Sequence, residues 1–182
     1  LLQEEDTPLS REMQSELFQT EQYVQMALQY LRMEKMTSDL VFARYDLDAL
    51  IRQAVRKYAP LFIRRKIILS YEPVHCEVLT DEKWLVFVLE QILSNALKYT
   101  PENGSVCIYA SEEGTTWSIE VKDTGIGIPS CEQKNLFKNY FRGSNVVNLK
   151  VTGSGIGLML VSGCIRERFK FKVSSSKELV CG

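Results

Sequence analysis

The chain has 182 residues and a formal net charge of −1, with 25% charged and 45% apolar residues. That balance leaves no basic footprint for nucleic acid and too much apolar content for disorder, and the length suits one α/β domain with a helical appendage. Five scattered cysteines (Cys76, Cys107, Cys131, Cys164, Cys181) form no CxxC pair, and His75 is the single histidine, which disfavours a zinc site. The odd set predicts reduced thiols in a cytoplasmic compartment. There is no signal-peptide pattern and no apolar run approaching the ~20 residues of a membrane span.

The chain opens on one long helical pattern. Met13, Leu17, Thr20, Val24, Ala27 and Leu31 follow at alternating spacings of four and three, a heptad seam that is mostly apolar. Thr7 and Pro8 suit an N-cap and a first helical position. The pattern fits an ordinary amphipathic surface helix as well as one arm of a helical hairpin that dimerises into a bundle. A composition shift follows near Thr37 to Tyr45. From Asp46 to about Lys66 the sequence predicts a helix that Pro60 should break or kink. Lys66 to Tyr71 and Cys76 to Thr80 read as short strands joined by a loop around Pro73. Asp81 to Tyr99 is a second helix with Leu85, Val88, Leu89, Ile92 and Ala96 on its apolar face. Ser105 to Ser111 and Thr116 to Asp123 alternate as two strands of a hairpin. A last helix is expected from near Gly155 to about Phe169, followed by a strand over Lys170 to Ser174. Strands and helices do not alternate strictly, so the expected fold is α+β: a two-layer α/β sandwich, a mixed sheet with helices on one face.

Four segments carry candidate chemistry. Late on the second helix, Gln91, Asn95 and Lys98 lie at i, i+4 and i+7 and share a face beside the apolar one. Asn95 offers a neutral oxygen that Mg²⁺ tolerates when phosphates supply the other ligands. Lys98 offers a positive charge for phosphate, and Tyr99 a ring for stacking. At the end of the hairpin, Asp123-Thr-Gly125-Ile-Gly127-Ile-Pro129 puts an acceptor-only carboxylate before glycines that let a ligand approach the backbone. In the third segment, Phe137 and Phe141 are one helical turn apart and are expected to anchor a short helix, with Arg142 within reach of a phosphate. The fourth, Gly153-Ser-Gly155-Ile-Gly157-Leu158, opens the last helix, where free N–H groups and the dipole favour anions. It is not a P-loop. Each segment alone has a bland reading: a polar helix end, a glycine turn, a satellite apolar cluster, a common glycine-rich start.

In this order and spacing, however, NALKYT, then DTGIGI, then an aromatic-Arg box, then GSGIGL resemble the N, G1, F and G2 boxes of sensor histidine kinases. More widely they resemble the superfamily of gyrase, the Hsp90 chaperones and MutL, with its Bergerat-type fold. The resemblance runs from about Tyr45 to the C-terminus. It implies a partial helical stalk at 1–44 and an ATP-binding catalytic domain at 45–182. It also implies that Asn95, with Gln91, holds Mg²⁺, that Lys98 and Tyr99 contact phosphate and adenine, and that Asp123 bonds the adenine amino group. Gly125, Gly127, Phe137, Arg142, Gly153, Gly155, Gly157 and Leu158 would line the ATP site, with Gly143 to Thr152 as a lid. The stalk sequence resembles kinases with short extracytoplasmic regions that sense envelope stress and peptide antibiotics, often beside an ABC transporter. The implied partners are a response regulator and a second copy of the chain, and the implied parent sits in the cell membrane with this part cytoplasmic.

Two departures stand out. Gln91 occupies a position where most histidine kinases have asparagine and where ATP-hydrolysing relatives have a glutamate base. An amide cannot take a proton from water, which favours phosphotransfer over hydrolysis. Glu90 is adjacent but rotated away. Second, His75 lies in a loop and does not match the helical phosphoacceptor, which is expected upstream, so the sequence reads as a piece of a longer protein. The rival expectations are an ATPase of the gyrase or chaperone kind and a non-catalytic module that dimerises and binds a regulator. The basic residues Arg52, Arg56, Lys57, Arg64, Arg65 and Lys66 read as a solvated helix face or a membrane-facing patch.

Overall fold

The computed structural model describes residues 7–33, 41–113, 116–138, 141–147, 157–158, 161, 170–175 and 178–179. The backbone divides into two compact units, Leu1–Asp39 and Leu40–Gly182. The described residues of the first form the helix α1 (Pro8–Met33). Its start matches the sequence reading: Thr7 Oγ1 accepts the Ser10 N–H at 3.1 Å, and Ser10 Oγ donates to the Thr7 carbonyl at 2.9 Å. Pro8 sits where a missing N–H costs no hydrogen bond. The seam residues Met13, Leu17, Val24 and Leu31 are exposed.

In the described residues of the second unit, two long helices pack against a mixed sheet as a sandwich. β1 (Ala43–Asp46) pairs antiparallel with β3 (Glu77–Thr80). β2 (Ile68–Tyr71), β4 (Ser105–Glu113), β5 (Thr116–Asp123) and β7 (Lys170–Ser175) form a sheet in the order β2-β4-β5-β7. Its β2–β4 and β5–β7 pairs are parallel and its β4–β5 hairpin antiparallel, with Val106 opposite Asp123. The alternation predicted for the hairpin holds: Val106, Ile108, Ile119 and Val121 are buried, whereas Tyr109 and Lys122 face outward. α2 (Leu47–Arg64) packs along α3 (Glu82–Tyr99), and the pair lies against β2 and β5. Leu47, Ile51, Tyr58 and Phe62 from α2 and Leu89, Ile92 and Leu93 from α3 complete the core. Among the described residues, no helix is long and apolar enough to cross a membrane.

Short polar residues set the helix starts. Asp46 Oδ1 accepts the Asp48 N–H at 2.9 Å at the head of α2. Asp81 Oδ1 accepts the Trp84 N–H at 3.0 Å at the head of α3, and its Oδ2 accepts the Val41 N–H at 2.8 Å. One carboxylate thus starts α3 and pins the backbone entering β1. α2 covers the expected span, ending at Arg64, and Pro60 does not break it. A proline removes a single ladder bond at a cost of about 3 kcal/mol, and burial of Tyr58 and Phe62 on either side offsets it. The helix ends in a Schellman turn: Ile67 N–H donates to the Phe62 carbonyl at 2.9 Å and Lys66 N–H to Ile63 at 3.0 Å. Lys66 takes the left-handed position, φ 52°, so the following strand begins at Ile68 rather than at Lys66.

Two further readings change, and the solvated reading of the basic residues gains its partners. β1 was not expected; four residues are too short a run for alternation to declare a strand. The basic cluster is dispersed into separate bonds: Arg52 to Asp48 at 2.5 Å, Lys57 to Glu90 at 2.9 Å, Lys66 to Glu102 at 2.5 Å, and Arg65 to the Leu97 carbonyl. Cys76 and Cys107 are free thiols, but Cys131 is disulfide-bonded, which corrects the all-reduced expectation. Pairing requires Cα atoms within about 7 Å, a proximity that only the fold sets.

Candidate functional site

The site is built where the C-terminal turn of α3 meets the turn that follows β5. Gln91 is buried, and Asn95 and Lys98 are half-buried on the same helix. Burial pushes the Lys98 ammonium below its ordinary range, and among the described residues no carboxylate pairs with it. A half-buried cation without a counter-charge fits an anionic ligand. Beside it, the Arg65 guanidinium bonds the Leu97 carbonyl, one of the last-turn carbonyls that a helix leaves unpaired. Glu90, one position before Gln91, is held by the Lys57 ammonium at 2.9 Å, so that carboxylate is engaged with α2.

The Asp123 turn closes directly onto α3. Asp123 Oδ1 accepts the Gly125 N–H at 2.8 Å, and Ile126 N–H donates to the Tyr99 carbonyl at 3.2 Å. A Cβ on Gly125 would lie 2.6 Å from Asp123 Oδ1 and 2.8 Å from the Tyr99 carbonyl oxygen. Glycine is therefore required there by close approach of two backbones. Thr124 ties the turn to the start of β4: its N–H donates to the Ser105 carbonyl at 3.0 Å and its Oγ1 accepts the Ser105 N–H at 2.9 Å. Gly127 has φ 74°, the left-handed region. The Asp123 carboxylate is half-buried, and its Oδ1 is fixed by its own turn.

Beyond Gly127, β6 (Ile128–Pro129) pairs parallel with β8 (Glu178–Leu179), and a 3₁₀ turn spans Gln133–Asn135. The Glu132 carboxylate accepts the Ser144 N–H at 3.0 and 3.2 Å, and Asn145 Nδ2 donates to the Gly127 carbonyl at 2.9 Å. These bonds fasten the one-turn helix α4 (Ser144–Val147), the start of the expected lid, to the Asp123 turn.

The third segment departs from expectation. Phe137 is 50% exposed, Phe141 lies outside any helix, and Arg142 is exposed. Aromatic spacing alone does not distinguish a helical turn from a chain of reverse turns: Lys138 N–H donates to the Asn135 carbonyl and Phe141 N–H to Lys138. Gly157 and Leu158 are helical and half-buried. Gly153 and Gly155, with most of the span expected as the last helix, lie outside the described residues. Sequence reasoning missed Thr124, Glu132 and Asn145. A threonine after the aspartate and an amide two residues after Gly143 were the available signals.

The elements just described coincide with a known family. Residues 80–179 match the family of histidine kinase-, DNA gyrase B-, and HSP90-like ATPases. The chain belongs to that family, and its fold is that of a histidine kinase catalytic domain. The sensor histidine kinase YxdK of Bacillus subtilis (strain 168) is 30% identical over 168 residues, covering 88% of this chain and 50% of YxdK. The chain thus spans half the length of that relative. The nucleotide-free catalytic domain of histidine kinase ThkA matches with a TM-score of 0.62 at 23% identity, covering 70% of this chain and 82% of that domain. ThkA in complex with the response regulator TrrA matches with a TM-score of 0.58 at 23% identity, covering 78% of this chain and 42% of ThkA. At that identity the structural likeness speaks for the fold alone.

Proposed function

We propose that this chain binds Mg-ATP and transfers its γ-phosphoryl group to a histidine on a helical stalk outside this sequence, for relay to a response regulator. The observation that carries the reading is the junction of α3 with the Asp123 turn. A carboxylate oriented by the Gly125 N–H stands against the end of the helix that bears the half-buried Lys98 ammonium, which no carboxylate among the described residues pairs with. Asp123 accepts from the adenine amino group, Tyr99 flanks the base, and Lys98 neutralises phosphate. Asn95 and Gln91 supply amide oxygens to a Mg²⁺ whose remaining ligands are phosphate and water. That division suits the site, since among the described residues no three His, Cys, Asp or Glu side chains cluster to hold a metal. Gly125 and Gly127 keep side chains out of the way, and the glycine-rich sequence from Gly153 to Leu158 is assigned to phosphate by its resemblance to the G2 box.

Transfer rather than hydrolysis follows from what a base would need. Gln91 is an amide, and the neighbouring Glu90 carboxylate is occupied by Lys57, so neither is placed to deprotonate water. The protein's contribution is then positioning and electrostatics. His75 is exposed in the loop between β2 and β3 and is not the acceptor. The exposed seam of α1 supports a stalk that pairs with a second copy, and the ThkA–TrrA complex supports a response regulator as partner. In calorimetric titration, Asp123→Asn is expected to abolish Mg-ATP binding while circular dichroism stays native. Unchanged affinity in that variant rejects the adenine assignment.

A further inference from the structure

Gly127 ends the turn that carries Asp123 and takes φ 74°, yet glycine reaches the opposite sign of φ about as readily. Local sequence therefore does not fix the course of this turn, and partners from elsewhere in the chain must. One is α3, through the bond from the Ile126 N–H to the Tyr99 carbonyl at 3.2 Å. The other is Asn145, whose Nδ2 donates to the Gly127 carbonyl at 2.9 Å from 18 residues further on. Asn145 is itself held. The preceding peptide, through the Ser144 N–H, donates to both oxygens of the Glu132 carboxylate, at 3.0 and 3.2 Å. The Glu132 backbone is anchored in turn: its N–H donates to the Pro129 carbonyl at 2.9 Å, and its carbonyl accepts the Asn135 N–H at 2.8 Å. A Cβ on Gly143 would lie 2.8 Å from Asn145 Oδ1 and 3.1 Å from Glu132 Oε2, so the two side chains meet at that glycine. Val146, the next residue, is buried and gives this clasp an apolar footing.

We infer that Asn145 and Glu132 are positioning residues for the base side of the nucleotide site, which rests on the nucleotide reading above. Asn145 selects the left-handed state of Gly127, and Glu132 fixes the peptide that presents Asn145. The turn between Gly125 and Gly127 is then set before a nucleotide arrives, with Asp123 Oδ1 held by the Gly125 N–H. Such preorganisation raises affinity by removing the cost of ordering on binding. It also sharpens the choice of adenine over guanine, since a carboxylate accepts from an amino group and repels a carbonyl only where its orientation is fixed. The full chain and three variants are titrated with Mg-ADP by calorimetry, and Mg-GDP affinities are measured by competition. Asn145→Ala is expected to bind Mg-ADP about fivefold more weakly, the loss of one ordinary hydrogen bond. Its Mg-GDP affinity should hold, so the preference for adenine falls by the same factor. Glu132→Ala should shift both readings in the same direction. Glu132→Gln, which keeps an oxygen for the Ser144 N–H, should restore them. An unchanged preference in Asn145→Ala overturns the proposal, whether both affinities stay or both fall together, since the clasp then serves the fold alone. A wild-type chain that binds Mg-ADP without preferring it to Mg-GDP overturns the adenine assignment, and one that binds neither overturns the nucleotide reading; this inference goes with each.

Discussion

α1 and α3 are both amphipathic helices, yet they place their apolar residues in opposite surroundings. α1 carries single apolar residues at three- and four-residue spacings and leaves them exposed, Leu17 by 68%. α3 buries every residue from Leu85 to Leu89 and then Ile92, Leu93 and Ala96. A narrow seam suits one facing helix, whereas a broad apolar face suits a sheet below and a helix alongside. Periodicity makes both into helices; the width of the apolar stripe tells them apart.

The largest expected effect tests that contrast directly. Leu89→Ala should destabilise the second unit by about 3 kcal/mol in urea unfolding, through lost burial and a residual cavity. Leu17→Ala, at concentrations where the chain is monomeric, should change it by less than about 0.5 kcal/mol. Comparable losses would mean that the exposed seam of α1 is part of the core. Next in size is Gly125→Ala. Its new methyl would meet the Tyr99 carbonyl and the Asp123 carboxylate, so the turn must move off α3. A cost of about 1–3 kcal/mol, as for overpacking, is expected, together with loss of nucleotide binding in a fluorescence titration.

The smallest effect falls on the polar edge of α3. Burial lowers the Lys98 pKa from its ordinary value of 10.5, so the folded state gives up its proton at a lower pH than the unfolded chain. Between those two pKa values the unfolded chain binds more protons. Stability therefore rises with pH through that window, and the cost of burying the ammonium is fully present below the folded-state pKa. Lys98→Met should thus raise the ligand-free melting temperature slightly while weakening Mg-ATP binding, and should flatten the alkaline rise in stability. A variant that melts lower and binds normally would assign Lys98 to structure alone.

Much of this was legible from residue order. The hairpin followed from alternation around Ile108 and Ile119, and the head of α3 from Asp81. The DTGIG segment announced a turn that a ligand approaches, because glycine permits backbone contact that other residues forbid. Less legible were the parts that depend on long-range neighbours. Phe137 looked like an anchor, because a one-turn spacing says nothing about whether a surface exists for it to pack on. The basic residues from Arg52 to Lys66 read as a solvated face, but their carboxylate partners Glu90 and Glu102 come from other elements and were not legible. Pro60 looked like a breaker, because the burial that overrides it is tertiary.

Sequence by itself determined the helices, the hairpin and the chemistry on offer: an amide-and-lysine face, a carboxylate before glycines, a glycine-rich helix start. These are set by periods of two and 3.6 residues and by conformational limits local to each residue. The tertiary structure alone decided that the Tyr99 carbonyl receives the Ile126 N–H, that Asn145 fastens α4 to Gly127, and that the Thr100 hydroxyl is enclosed without a partner. Those contacts join segments far apart in the chain. Their energies depend on which surfaces meet, and local sequence does not record that.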